Sequence, residues 1–217
     1  MTARSVSYRA GSVGRTGGCG RDDEVGDDEV GDDEVGDDEV GDDEVGRARM
    51  GDEPTVVVRP EQPYVAIAGR VTMQTFGVVA DRIPELFGWL AARQIAPVGA
   101  PFLRYNVIDM EREFEIEAGV PVAEVVKVAD DEPGDLFAAV LPAGRYAAVR
   151  HVGHPDELVE VNRRLLDWAE HRGLRWDVSD TERGQRWGCR TETYETDPRV
   201  EADPHNWTIA LAFRLAD

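Results

Sequence analysis

The chain has 217 residues and a formal net charge of −20, and 41% of its residues are hydrophobic. That hydrophobic fraction is ordinary for a globular protein, and no apolar run reaches the roughly 20 residues that a membrane-spanning helix needs. The negative charge opposes contact with phosphate backbones, which argues against direct DNA or RNA binding. Two cysteines and no secretory signal argue against a disulfide framework, so we expect a cytoplasmic protein.

The first part of the chain is dominated by an acidic repeat. Residues 22–46 are five copies of Asp-Asp-Glu-Val-Gly. With one valine per copy, the segment has too little apolar area to offset the entropy of ordering, so we predict a disordered acidic tail over residues 1–52. It is either an arm for a basic partner or a repeat expansion upstream of a native start near Met50. The second interpretation is favoured because charge runs are usually solvated.

The remainder, residues 53–217, is predicted to form one folded domain. Its first half contains two strands, a helix and a strand pair, predicted over residues 55–58, 64–73, 83–90 and 103–117. β-Branched or alternating residues mark the strands, and apolar residues three and four apart mark the helix. Pro84 lies in the first turn of that helix, where proline is tolerated.

The second half repeats this order. A strand, a helix and two further strands are predicted over residues 145–152, 156–172, 191–196 and 207–215. Gly173 is expected to end the helix, and the polar, arginine-rich residues 177–188 are interpreted as a loop. Aromatic residues occur at matching places in the two halves: Tyr64 and Tyr146, Trp89 and Trp168, Tyr105 and Tyr194.

These matches predict an α+β fold of tandem duplicated strand–helix–strand–strand units, at about residues 54–133 and 134–217. One unit alone has a thin sheet and one helix, which is too little core for stability. Two units can join antiparallel sheets edge to edge, with the helices on one face and a ligand cleft between the halves. Clefts of that kind are common binding sites. We expect a monomer or a weak homodimer.

Short motifs occur in a fixed order along residues 56–216. They are Gly99-Ala-Pro-Phe-Leu-Arg-Tyr105, Glu115-Ile-Glu-Ala-Gly-Val-Pro-Val122, Leu141-Pro-Ala-Gly-Arg-Tyr146, His151-Val-Gly153, Glu192-Thr-Tyr194, Asp197-Pro198, Asp203-Pro204 and Trp207-Thr208. This ordered set resembles the GyrI-like family, also described as AraC-type effector-binding or gyrase-inhibitor-like domains. The resemblance implies a duplicated fold that binds hydrophobic, often cationic drugs.

The resemblance also implies a choice of functions. Some members of the family are effector domains fused to helix-turn-helix regulators, and some are stand-alone proteins that protect against DNA-damaging compounds. A subset hydrolyses the strained cyclopropane of DNA-alkylating natural products. Residues 1–53, mostly glycine and acids, cannot hold a helix-turn-helix, so a stand-alone member is expected. The family often has an aromatic or small residue just before its pocket glutamate, whereas Arg190 and Thr191 stand here.

Glu192 and Tyr194 are the first candidates for the site. Two positions apart on a strand, they share a face, and a carboxylate among aromatic rings would attract a cationic ligand and suit acid–base work. Spacing alone favours a solvent-facing glutamate, whereas the family resemblance favours a pocket. Glu192, Tyr194 and Glu117 are therefore the predicted catalytic residues.

The second carboxylate is less well defined. Glu113, Glu115 and Glu117 share one strand face, which is more often solvated. Glu117 matches the family position best, and Glu115 is the alternative, as a ligand-binding residue. The aromatic residues Phe102, Tyr105 and Trp207 are predicted ligand contacts, although core packing is the commoner use of such side chains.

No metal or organic cofactor is expected. His151 and His154 lie at a strand end and a turn, without a third ligand nearby, and Cys189 has no nucleophile arrangement around it. The predicted partner is a small hydrophobic or cationic aromatic molecule. Three hypotheses remain: a binder that sequesters toxic compounds, a cofactor-independent hydrolase of cyclopropanoid agents, and an effector-sensing or protein-binding module in transcription regulation or gyrase inhibition.

Overall fold

A computed structural model describes residues 53–129 and 135–217. The predicted acidic tail, residues 1–52, lies outside the described residues. Within the described part of the chain, no helix is long and apolar enough to cross a membrane.

The described residues form an α+β fold. Its strands are β1 Thr55–Arg59, β2 Gln62–Val71, β3 Phe102–Ile108, β4 Phe114–Pro121, β5 Leu136–Leu141, β6 Gly144–Val152, β7 Val178–Thr181, β8 Gly184–Trp187, β9 Arg190–Tyr194 and β10 Thr208–Arg214. Its helices are the single turn α1 Gly77–Ala80, then α2 Ile83–Ala92 and α3 Leu158–His171. Short 3₁₀ turns at Pro155–Glu157 and Pro204–Asn206 precede α3 and β10.

All strands join one antiparallel sheet that curls into a half-barrel. The order is β1-β6-β10-β9-β3-β4-β2-β5, and the β7–β8 hairpin attaches to β3 through β8. β9 and β3 pair at the middle of this order, through Leu103 and Glu192 among others. The sheet therefore brings two segments that are far apart in the sequence together as its central pair of strands.

One expectation about the strands was wrong, and one strand was missed. Residues 177–188, interpreted as a loop, contain the β7–β8 hairpin, in which Gly184 follows the turn and pairs with Thr181, with a φ of 111°. β7 is exposed along its whole length, so it has no apolar alternation for a sequence pattern to detect. β5, over residues 136–141, was not predicted as a strand either. It pairs with β2 and is half-buried at every position, which also removes the alternation.

The helices pack on one face of the sheet, called here the helix face. Leu86 and Leu90 of α2 contact Val65, Ile67 and Val120 of β2 and β4. Leu158, Val161 and Leu165 of α3 contact the strands on the other side of the centre, at Ala147, Val149, Ile209, Leu211 and Phe213. The central strands β3 and β9 thus lie between the strands that carry α2 and those that carry α3.

The other face, called the open face, has a core of its own. Tyr64, Ala66 and Phe102 are buried there against Phe137, Ala139 and Leu141 of the edge strand β5. Leu141 also packs against Tyr146 and its neighbours. Because the sheet curls, the side chains of β5 and β6 close over this face without a helix.

Candidate functional site

The centre of the helix face holds a buried carboxylate bound to a phenol. Glu192 of β9 is 6% exposed, and Tyr105 of β3 is 9% exposed. The Tyr105 hydroxyl donates to Glu192 Oε2 at 2.7 Å. The two residues are 87 positions apart in sequence and meet because β3 and β9 are paired.

A second pair of polar groups completes this network. Asn162 of α3 donates from Nδ2 to Glu192 Oε1 at 3.1 Å. Arg190, two residues before Glu192 and on the same face, donates from its guanidinium to Asn162 Oδ1 at 2.7 Å. A hydrogen-bonded chain therefore runs from Arg190 through Asn162 and Glu192 to Tyr105.

Aromatic side chains surround these hydrogen-bonded residues. The Arg190 guanidinium carbon lies 4.3 Å from the ring centroid of Phe213 and 4.8 Å from that of Trp187. Tyr194, half-buried, packs against both the α3 cluster and the cluster that contains Tyr105. Apolar surfaces next to two charged groups strengthen the electrostatic interactions between them.

The surroundings shift two pKa values in ways that follow from this burial. Burial, and then the nearby Glu192 carboxylate, raise the pKa of Tyr105 well above its usual value. Burial lowers the pKa of Arg190, although an arginine starts so high that it stays charged at neutral pH. The site thus holds a neutral phenol as donor and a guanidinium cation.

The second predicted carboxylate lies on the other face of the sheet. Glu117 is 8% exposed on the open face. Its Oε2 accepts from the Tyr64 hydroxyl at 2.5 Å, and its Oε1 accepts from Asn106 at 2.6 Å. Arg104 lies 3.8 Å from the carboxylate and donates to the Tyr64 oxygen at 2.7 Å. The structure therefore does not bring Glu117 to Glu192, and each has its own set of partners.

Asn106 reaches Glu117 because of an irregularity in β3. The pairing of β3 with β4 shifts between Tyr105 and Val107, which leaves Asn106 as the extra residue of a bulge. Bulges redirect a side chain locally. Burial raises the pKa of Tyr64, and the adjacent Glu117 carboxylate raises it further, so its hydroxyl stays a donor.

The remaining predicted contacts lie away from Glu192. Phe102 packs edge-on against Tyr64 on the open face, with 5.2 Å between ring centroids. Glu115 forms ion pairs with Arg70 and Arg183 at the surface. The Trp207 indole donates to the Glu201 carbonyl in the loop before β10.

Two residues of the Glu192 network were missed by the sequence reasoning. Arg190 alternates with Glu192 and Tyr194, so the strand period was a signal that places all three on one face. Asn162 had no such signal, because its contact with β9 depends on where α3 crosses the sheet. His154 caps the turn before α3, as its ring accepts from the Asp156 backbone N–H, whereas His151 is buried beside Glu157.

Among residues 53–129 and 135–217, no group of three or more His, Cys, Asp or Glu side chains is arranged to hold a metal ion. Cys189 is buried on the open face beside Tyr146. Burial raises the pKa of its thiol, which makes it a poor nucleophile at neutral pH.

Comparison with known families identifies the domain. The chain matches the GyrI-like small molecule binding domain over residues 52–211, and it belongs to that family. No curated protein gives a significant match to the sequence.

Solved structures show the same fold at low sequence identity. EcmrR, in its complex with DNA, superposes with a TM-score of 0.58 at 17% identity, covering 79% of this chain and 60% of the EcmrR chain. The isolated C-terminal domain of EcmrR gives 0.56 at 17% identity, covering 77% and 99%. A hydrolase from Listeria innocua gives 0.54 at 15% identity, covering 78% and 94%. The part of EcmrR that this chain resembles is therefore its C-terminal domain.

Proposed function

We propose that this GyrI-like domain binds small hydrophobic, aromatic molecules on its helix face, with Glu192 and Tyr105 as polar anchors. The main support for this proposal is that the buried Tyr105 hydroxyl lies 2.7 Å from the buried Glu192 carboxylate, among aromatic side chains. Ligand sites are mostly apolar with a few convergent polar groups. Hydrogen bonds from Tyr105 and Asn162 offset the cost of keeping the Glu192 carboxylate out of water.

The ligand would enter between the two long helices. β3 and β9 form the floor of that region, because α2 packs on β2 and β4 whereas α3 packs on β6 and β10. The side chains on the helix face of these two strands include Glu192, Tyr105 and Tyr194. Asn162 of α3 contacts Glu192 from the helix side. A cleft at this place would match the predicted position between the two halves.

The strand registers support a duplicated architecture. Tyr64 pairs with Pro121 and Ala139, and Tyr146, its counterpart in the second half, pairs with Arg214 and Val57. If Tyr105 corresponds to Tyr194, then Leu103 corresponds to Glu192. These two residues pair with each other, as residues on a two-fold axis must. The proposed cleft would then be centred on the axis that relates the halves.

A protective role fits this arrangement. EcmrR is a DNA-bound protein, and the Listeria innocua protein is described as a hydrolase, so the fold serves more than one function. Binding alone needs only the anchors and the aromatic surfaces of the Glu192 network. We therefore propose sequestration of toxic aromatic compounds, and effector sensing is the alternative.

Ligand binding to the helix face can be tested with matched variants. Titration of the full chain with a panel of fluorescent aromatic compounds should identify binders. For these, Tyr105→Phe and Glu192→Gln are expected to weaken binding by roughly 10-fold or more. Thr193→Val is the control, because Thr193 lies on the same strand but faces the open side, opposite Phe102. Equal affinity in all four proteins would show that the ligand binds elsewhere.

Hydrolysis of cyclopropanoid alkylating agents is a second candidate. The observation that favours it is that Tyr105 is a neutral proton donor beside a carboxylate able to accept a proton from water. The phenol would protonate the carbonyl oxygen that gains charge as the ring opens, while Glu192 would orient the attacking water. Mass spectrometry should then find hydrated product, with turnover at least about 100-fold lower in Glu192→Gln. No product above the uncatalysed background would leave sequestration alone.

A further inference from the structure

The Glu192 site contains a cation of its own. The Arg190 guanidinium lies against the rings of Phe213 and Trp187 at 4.3 and 4.8 Å, and the Tyr105 ring is 5.9 Å away. Aromatic faces grouped beside a carboxylate are the arrangement that recognises a cationic ligand. Here the Arg190 guanidinium takes the place that a ligand cation would have.

We infer that Arg190 makes the site selective for neutral aromatic ligands over cationic ones. The inference rests on the proposed function and narrows its ligand class, which the sequence had left as hydrophobic or cationic. Arg190 and Glu192 carry opposite charges, so together they leave a ligand no net charge to pair with. A ligand cation would enter an apolar region beside a fixed positive charge, where repulsion is far stronger than in water.

Asn162 keeps the two charges together. Its Oδ1 accepts from Arg190 and its Nδ2 donates to Glu192. A guanidinium has only donors and a carboxylate only acceptors, so this orientation of the amide is the one that serves both. Asn162 also donates to the Leu158 carbonyl within α3 at 2.8 Å, which fixes its position on the helix. A ligand cation could use Glu192 only by breaking this chain of hydrogen bonds.

Unused hydrogen-bonding capacity favours the same ligand class. Within the described part of the chain, Arg190 Nε is buried and has no hydrogen-bond partner. A buried donor without a partner is costly, and a carbonyl oxygen of a neutral ligand that reached it would remove that cost. A cationic ring nitrogen offers no such acceptor.

Two flat dyes of similar size can separate the alternatives. Acridone is neutral and has a carbonyl oxygen, whereas N-methylacridinium is a permanent cation. The wild-type protein is expected to bind acridone at least about 10-fold more tightly. Arg190→Met removes the charge and keeps an apolar stem, so it should shift the preference toward N-methylacridinium by about 100-fold. Arg186→Met is the control, since Arg186 is exposed on β8 and its charge is screened by solvent.

A second variant covers the case in which Arg190→Met does not fold. Glu192→Gln leaves Arg190 without its counter-charge, and it should favour acridine-9-carboxylate over acridone by about 10-fold more than the wild type does. A wild-type protein that binds N-methylacridinium as tightly as acridone overturns the inference. So does an unchanged preference in Arg190→Met or, if that variant does not fold, in Glu192→Gln. In these cases the proposed function stands, because a dye has bound. If the wild type binds none of the three dyes, the proposed function and the inference both fail.

Discussion

The Tyr64–Glu117 contact on the open face should be a large single contribution to the stability of the sheet. Tyr64→Phe removes a hydroxyl that donates to Glu117 at 2.5 Å and accepts from Arg104 at 2.7 Å. The side chains of Glu117 and Arg104 are only 11% and 16% exposed, so water cannot easily replace the lost partner. A hydrogen bond to a charged group contributes about 1.5–3 kcal/mol. For a domain of this size, that loss lowers Tm by about 3–12 °C.

Tyr146→Phe is the matched control. Tyr146 is also a buried strand tyrosine, but its hydroxyl donates to the Pro142 carbonyl at 2.6 Å. A bond to a neutral acceptor contributes about 0.5–1.5 kcal/mol. Urea denaturation followed by tryptophan fluorescence gives both free energies of unfolding, and an unchanged m value shows that the unfolded states remain comparable.

A double-mutant cycle isolates the contact itself. Tyr64→Phe and Glu117→Gln, alone and together, should give a coupling energy of about 1–3 kcal/mol, since the two side chains touch directly. The reasoning is refuted if Tyr64→Phe costs no more than Tyr146→Phe, or if the coupling is below about 0.5 kcal/mol. Glu117 would then be a tolerated buried charge with no role in joining β2 to β4.

Three further perturbations follow from packing, burial and topology. Gly119→Ala places a Cβ 2.5 Å from the Phe102 ring and should cost about 1–3 kcal/mol in a thermal melt. In α2 a Cβ at Gly88 meets open space, so Gly88→Ala should raise the free energy of unfolding by up to about 1 kcal/mol. Equal effects of the two substitutions on stability would contradict this packing. Burial raises the pKa of Tyr105 well above the usual tyrosine value of 10.0, so the unfolded chain loses that proton first. Stability should therefore fall as pH rises above that value, less steeply in Tyr105→Phe; parallel pH profiles of unfolding free energy would contradict this. Residues 53–133 and 134–217 should be largely unfolded as separate fragments by circular dichroism, because β1 pairs with β6 and β5 with β2, and mixing should restore the sheet signal. A fragment that folds alone would count against it.

The order of elements could be predicted where burial is one-sided. β3 has alternating burial along Arg104–Ile108, and α3 has apolar residues three and four apart, so each has the period that defines its type. β5 and β7 could not be found in this way. Their burial is uniform along the strand, and their pairing partners lie far away in sequence or form only a short hairpin.

The candidate site was predictable only in part for a related reason. Strand alternation correctly puts Glu192 with Tyr194 on one face, and Glu115 with Glu117 on one face. It does not say which of these faces the helices cover, because that depends on pairing between distant strands. Here β3 and β9 put Glu192 under the helices, whereas Glu117 lies on the face that the sheet closes over by curling.

The charge of the candidate site depends on packing in the same way. The net charge of −20 is counted over the whole chain and does not give the charge beside Glu192. Solvent screens a charge only weakly in an apolar site, so a charged side chain that packing brings there acts strongly on whatever lies beside it. Arg190 comes from the same strand, and Asn162 arrives from a helix 28 residues earlier to hold it to Glu192. Because Arg190 and Glu192 carry opposite charges, the net charge of the proposed site is set by this local group rather than by the composition of the chain.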